Sequence, residues 1–331
     1  MRPRQVGDEV LEAAAGYQRS AVLVAAAELD LFSAVRRGHT TAAALARHIG
    51  ADERATAVLA DALAALGFLE KAGEAYRVPD ALAPSLAGDG GDGALWMLRH
   101  QANCLRRWAE LARVVKTGRP AERRASIRGQ AGDLESFIRA MDDASRRFAD
   151  EIVAAAGDIP FAHLLDIGGG PGTWTAAWLR RRPGARATLF DRPEVLPIAR
   201  AGLAEAGFGG RVEFAAGDAL NDPLPPGADL AWISAIIHQF SREENVRLFR
   251  RAREALVPGG RVVIRDVVMD ASRTRPTAGA LFAVNMLVGT EGGGTYTLEE
   301  IREDLVRAGF AGVERLREDE RMNSLVVAER R

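Results

Sequence analysis

From residue 160 onward, short apolar segments alternate with helical ones, a glycine cluster follows the first of them, and the preceding half of the chain is mainly of helical periodicity. These observations predict an α/β protein: a Rossmann-like sheet of parallel strands plus a terminal antiparallel strand, preceded by an α-helical N-terminal domain over 1–98. Composition is consistent with this. Of 331 residues, 47% are hydrophobic and 27% charged, as in ordinary globular proteins. The net charge of −1 excludes a general attraction to nucleic acid or anionic membrane. A lone cysteine, Cys104, excludes an intrachain disulfide and a multi-cysteine metal centre, and fits a reducing compartment. No apolar run reaches the ~18 residues of a membrane span, and the start MRPRQVGDEV lacks the apolar core of a signal peptide, so a cytoplasmic protein is expected.

Residues 8–35 place apolar side chains at helical spacing, with more small apolar residues than a solvated face needs. HTTAAALARHIG, DERATAVLADALAALGFL and EKAGEAYRVPD then read as helix, turn, helix and hairpin, a winged-helix pattern, with Thr41 as N-cap and Gly50 and Gly67 as stops. Residues 82–93 are expected to be a loop. Helices are expected over 94–117 and 133–156, separated by the basic stretch TGRPAERRASIRG. Candidate strands follow: HLLDI, ATLF, VEF, DLAWIS and RVVIRD, then a helix LEEIREDLVRAGF and two strands near 312–316 and 324–329.

The stretch LLDIGGGPGTW at 164–174 falls in the first strand-to-helix turn, where sheets of this kind bind ligands. Glycine permits positive φ and lets a ligand lie against the backbone. The spacing Gly168-x-Gly170-x-Gly172, with Pro171 in the turn, departs from the G-x-G-x-x-G of pyrophosphate binders and suits a ligand without one; a purely structural tight turn is the competing reading. Asp191 ends the second strand, 23 residues after Gly168, where a carboxylate can accept both hydroxyls of a ribose. Asp218 follows the third strand and reaches the same edge, within range of an adenine amino group. Each acid taken singly suits a solvated loop; three such sites on successive strand ends point to a ligand.

LLDIGGGPGTW, LFDRPEV, GDAL, the run DLAWISAIIHQFSREENVRLFRRAREALVPGGRVVIRDVV and the terminal AGF resemble class I S-adenosylmethionine-dependent methyltransferases. More narrowly, they are similar to small-molecule O-methyltransferases of the plant caffeate and acetylserotonin type and their bacterial relatives. The resemblance spans nearly the whole chain. It implies a dimerisation domain over 1–98, a homodimer formed through the N-terminal helices, and a cofactor-binding domain over 99–331 whose helices 99–156 line the substrate. It also implies that Asp166, Gly168, Gly170, Asp191 and Asp218 line the S-adenosylmethionine site, with Ala219 beside the adenine and Phe240 at a position usually held by tryptophan.

Of the five histidines, His238 alone follows a strand, the fourth, on the edge that carries the glycine turn. Imidazole titrates near physiological pH and can take a hydroxyl proton; a packing histidine is the competing reading. The resemblance implies that His238 is the general base. Asp266 ends the adjacent fifth strand, where its carboxylate can hold the far ring N–H, as the acid of a Ser-His-Asp triad does. Two departures stand out. The family's His-Asp-Trp is His238-Gln239-Phe240 here, and a second family glutamate falls on Thr295, which leaves a non-phenolic acceptor open.

The acceptor pocket is expected from 96–141 and 281–295. The resemblance places Phe137, Met141 and Met286 in its lining, and Trp96, His100 and Asn285 are further candidates; plain core is the alternative for the Met and aromatic positions. Between 99 and 128, nine Arg or Lys face Glu110 and Glu122, a solvated face or a site for an anionic substrate. No metal site is indicated. Three other functions compete. DNA binding by the winged helix is disfavoured by a net charge of −2 over 40–85. S-methylation or a non-methylating activity on the same fold stays open, as does a nicotinamide dehydrogenase.

Overall fold

The computed structural model describes residues 6–86 and 93–331. The chain falls into two compact units, one of residues up to 106 together with 123–143, the other of 107–122 together with 144–331. The expected boundary between 98 and 99 lies inside the helix Leu95–Trp108.

The first unit opens with the helices Val6–Ala15, Tyr17–Glu28 and Leu31–Arg36. Helices Ala42–Ile49 and Glu53–Ala65 follow, then the antiparallel hairpin β1 (Glu70–Ala72) and β2 (Ala75–Arg77). Thr41 caps its helix, its hydroxyl accepting the Ala44 amide at 3.3 Å. Gly50 and Gly67 stop their helices at φ +66° and +78°. Within the expected loop 82–93, Ala83–Leu86 is helical, and 87–92 lie outside the described residues. The apolar N-terminal face is smaller than its composition suggests. Leu31 and Phe32 are buried in this unit's own core with Leu45, Leu63, Leu69 and Tyr76, whereas Val10, Leu11 and Tyr17 face solvent.

Both long helices expected after residue 93 are broken, into Leu95–Trp108 with Leu111–Thr117, and Gly129–Arg146 with Ala149–Ala155. Part of the basic stretch is consumed internally. Arg99 donates to the Ala27 carbonyl and pairs with Asp30, Arg128 pairs with the same Asp30 at 3.3 Å, and Arg106 pairs with Glu28 at 2.8 Å. Arg113 pairs with Glu110 at 2.8 Å.

The second unit is built on seven strands: β3 (His163–Ile167), β4 (Arg186–Asp191), β5 (Val212–Ala216), β6 (Ala228–Ser234), β7 (Leu256–Asp266), then β10 (Phe310–Arg317) and β11 (Ser324–Arg330). Between the last two groups, β8 (Val268–Met269) and β9 (Tyr296–Thr297) form a separate parallel pair. The sheet order is β10-β11-β7-β6-β3-β4-β5, with β3 to β7 parallel and β11 antiparallel to both neighbours. All seven expected strands are present. β7 starts earlier than the run RVVIRD because Val257–Gly260 continue it, with Gly259 at φ +76° and a shift in the β6 register.

Strand order reverses at β3 and β6, the crevice where such sheets take ligands. Period-two alternation gives the sheet two buried faces. Leu165, Ile167, Ile233 and Ile264 meet Phe249 and Leu305 on one. Leu164, Leu189, Trp232 and Val263 meet Trp174 and Trp178 on the other. There Trp174 and Trp178 each lie 5.5 Å from Trp232 between ring centroids. Arg265 is buried on this face, 4.2 Å above the Trp174 ring, donating to Ser234 Oγ and, through Nε and Nη2, to Asn323 Oδ1. Burial lowers its guanidinium to about 10, so it remains charged at neutral pH.

Gly172 begins the helix Thr173–Arg181 at φ +86°, and a Cβ there would sit 2.7 Å from Leu203 Cγ and Cδ1. Gly172→Ala is therefore expected to lower the unfolding free energy by about 1–3 kcal/mol in urea denaturation. Adding Leu203→Ala should leave the left-handed backbone strain unrelieved, so the double variant should remain less stable than Leu203→Ala alone.

Candidate active site

The glycine turn is held from beneath by its own sheet. Gly168 donates its amide to the Phe190 carbonyl at 2.8 Å, and Gly172 donates to Gly169 at 3.0 Å. A Cβ on Gly168 would meet Ile236 Cδ1 at 2.6 Å, and one on Gly169 would meet Leu189 Cγ at 2.5 Å. Those glycines, like Gly172, are required by the protein's own packing. Gly170 differs: at φ +54°, its missing side chain would point into open space. This is the open side of the turn.

Asp191 faces that opening. Its Oδ2 accepts the Gly170 amide at 2.8 Å and its Oδ1 accepts the Arg192 amide at 2.7 Å. A carboxylate offers about four acceptor sites, so each oxygen retains one, which matches the two hydroxyls of a ribose. Burial raises this carboxyl above its ordinary range, against the lowering effect of those two amides. Asp218 is exposed at the end of β5 and caps its own turn through the Leu220 amide and Asn221 Nδ2, both at 2.8 Å. Ala219 is buried beside it, and Phe240 is half-buried.

Asp166 is placed differently from the other acids. It lies next to last in β3 on the tryptophan face, 1% exposed, and accepts the Thr175 hydroxyl at 2.6 Å. Burial pushes its carboxyl up to about 7. It ties the helix after the glycine turn to the strand before it.

His238 lies in a short 3₁₀ turn, Ile237–Gln239, after β6. Ala235, immediately past the strand, has φ +53° and donates its amide to the Arg265 carbonyl at 2.8 Å, so the chain leaves β6 sharply. His238 Nδ1 stands 2.9 Å from both carboxylate oxygens of Asp266, and both residues are buried. Asp266 Oδ1 also accepts the Val267 amide at 2.8 Å. Phe282 meets the imidazole edge-on with centroids 4.7 Å apart. The His238 carbonyl accepts the Gly294 amide at 2.9 Å, the Ile237 carbonyl accepts Asn245 Nδ2 at 3.0 Å, and the Phe240 carbonyl accepts the Tyr296 hydroxyl. Burial raises that hydroxyl to about 12, so it remains a donor.

A family model described as an O-methyltransferase domain matches residues 108–311, and one described as an O-methyltransferase dimerisation domain matches 11–82. The chain belongs to the O-methyltransferase family. This O-methyltransferase is 30% identical over 312 residues to 3-hydroxy-5-methyl-1-naphthoate 3-O-methyltransferase of Streptomyces sahachiroi, covering 92% of this chain and 89% of that one. It is 32% identical to acetylserotonin O-methyltransferase of Mus musculus molossinus, covering 91% and 83%. Its structure is similar to that of human N-acetylserotonin methyltransferase in complex with S-adenosylmethionine, with a TM-score of 0.82, 25% identity and 99% of each chain covered. It is an S-adenosylmethionine-dependent enzyme acting on a small molecule. No helix among the described residues is long and apolar enough to cross a membrane.

The expected acceptor-side residues of the O-methyltransferase divide between its two units. Trp96, His100, Phe137 and Met141 belong to the first, where the Arg99 and Arg139 guanidinium groups lie 4.6 and 5.1 Å from the centre of the Trp96 ring, and His100 meets Phe137 at 5.1 Å. Met286 and Asn285 lie in the second unit on the helix Thr277–Gly289; Asn285 Oδ1 accepts the Trp108 indole N–H at 3.0 Å. Thr175 and Tyr296 escaped the sequence reading, and Phe282 and Trp108 fell inside the expected pocket segments without being singled out. Phe282 was detectable, because it stands three and four residues before Asn285 and Met286, on one helix face.

Asp166 gives a pH signature. A carboxyl that ionises at about 7 when folded, against an ordinary value of 3.8, binds more protons in the native state than in the unfolded chain across that interval. Unfolding free energy therefore falls as pH rises through the window, by up to ~4 kcal/mol from this group. Asp166→Asn should flatten the dependence between pH 5 and 8 in urea titrations of the ligand-free enzyme; an unchanged slope would contradict it.

Proposed function

We propose that the enzyme methylates a hydroxyl of a small, largely apolar acceptor, with His238 as general base and Asp266 orienting it. The carrying observation is the buried pair, Nδ1 at 2.9 Å from each Asp266 oxygen. A carboxylate that accepts a hydrogen bond from Nδ1–H keeps the proton on that nitrogen and leaves Nε2 as the basic atom, the tautomer proton removal needs. When Nε2 accepts the hydroxyl proton the ring becomes a cation, and the adjacent carboxylate stabilises it at low local dielectric. S-adenosylmethionine, when bound, supplies an already activated methyl group. The chain's own work is to align the acceptor and hold its proton.

We assign the cofactor to the open side of the turn at Gly170, its ribose to Asp191, and its adenine to Asp218, Ala219 and Phe240. The free acceptor capacity of Asp191 and the unfilled space at Gly170 support this. For the acceptor, we assign Phe282, Asn285 and Met286 on the helix that meets His238. An apolar, partly aromatic wall suits a flat ring, and the Streptomyces sahachiroi relative methylates a naphthoate hydroxyl.

Mass spectrometry of a cell extract incubated with the enzyme and isotopically labelled S-adenosylmethionine identifies the acceptor. On it, His238→Ala should lower turnover by about 10²–10⁴-fold with cofactor affinity unchanged, and Asp266→Asn should cost less. Turnover of His238→Ala within a few-fold of wild type would reject the base and favour a thioether acceptor, which has no proton to lose.

We also propose a homodimer formed through the N-terminal helices, with the winged-helix portion serving assembly. The dimerisation-domain match and the exposed Val10, Leu11 and Tyr17 support it. Light scattering at micromolar concentration should give twice the chain mass, and a monomeric mass would refute it.

A further inference from the structure

Thr290, just past the helix Thr277–Gly289, folds back on it, its hydroxyl donating to the Met286 carbonyl at 2.8 Å. The same oxygen accepts the Gly293 amide at 3.0 Å. Gly293 lies flat against the turn that carries His238. A Cβ on it would press into the His238 carbonyl oxygen, and would stand 2.5 Å from Thr290 Oγ1 and 3.0 Å from the Gln239 carbonyl carbon. Two of those three neighbours are backbone and cannot rotate away. Its successor, Gly294, donates its amide to the same His238 carbonyl at 2.9 Å.

These contacts bear on the backbone under the imidazole, not on the imidazole itself. A histidine ring has only two side-chain torsions, so it follows its Cα. Two equal 2.9 Å approaches to Asp266 survive only while that Cα stays in place. The same helix also sets Phe282 perpendicular to the imidazole, with ring centroids 4.7 Å apart. One continuous set of hydrogen bonds therefore runs from the helix end, through Thr290 and Gly293–Gly294, to the base's own carbonyl.

We propose that residues 290–294 form a strap that positions His238, with Thr290 and Gly293 as positioning residues. The inference rests on the reading of His238 as the base. The strap makes the base's location a property of the helix assigned to the acceptor, so the two move as one body.

Full-length enzyme labelled with ¹⁵N-histidine reads the effect directly. The His238 ring signals are identified by their loss in His238→Ala. Wild type should show a protonated Nδ1 and a bare Nε2. Gly293→Ala should move both shifts toward the averaged position of two exchanging tautomers, while calorimetry finds wild-type affinity for S-adenosylmethionine. Thr290→Val, which loses the hydroxyl without adding a clash, should move the same signals less; if Gly293→Ala does not fold, this variant decides. Ring signals identical to wild type in the folded variants overturn the strap. Failure of the base reading is separable: His238→Ala would then keep its turnover while the strap variants still shift the ring signals.

Discussion

The main-chain ladder that pairs β3 with β4 and β6, and β6 with β7, all in parallel, sends four strands out of the sheet at one edge. Register then sets what can meet. Asp166 stands opposite Leu189 and Trp232, and Ser234 opposite Arg265, so the glycine turn, Asp191, the His238 turn and Asp266 all emerge within one crevice. Alternation does the rest. Arg265 and Asp266 are neighbours in the chain but face opposite sides of the sheet, and only the acid reaches the histidine. A slip of one residue in the pairing of β7 would exchange them and leave His238 facing a cation.

Around the glycine turn, packing decides which glycines are free to face outward. Gly168, Gly169 and Gly172 are pressed by Ile236, Leu189 and Leu203, and only Gly170 opens outward. Three of these four glycines are therefore explained by packing alone. They let the turn sit low between the strands and the following helices, which brings the one open glycine within reach of Asp191.

Much of this was legible in the chain. Runs such as HLLDI and DLAWIS mark strands because both faces of a parallel sheet are buried, and the caps at Thr41, Gly50 and Gly67 are local effects. His238 and Asp266 were readable because Asp266 ends one strand and His238 stands in the turn just past its neighbour. Long-range features were not. Asp30 collects Arg99 and Arg128 from far along the chain, so nothing near those arginines signals that they are paired. Leu31 and Phe32 have the periodicity of an exposed apolar face, yet the helices behind them cover it. The breaks after Trp108 and Arg146 carry no proline, and Gly293 takes its meaning from a carbonyl more than fifty residues away.

Three of the five tryptophans are gathered on the sheet face away from His238: Trp174 and Trp178, each 5.5 Å from Trp232, with Arg265 over Trp174. Rings this close exchange excitation before they emit, so the three act as a single chromophore embedded in one layer of the molecule. Trp174 is also the second residue of the helix that leaves the glycine turn. The cluster is thus an intrinsic optical reporter joined to the helix that leaves the glycine turn.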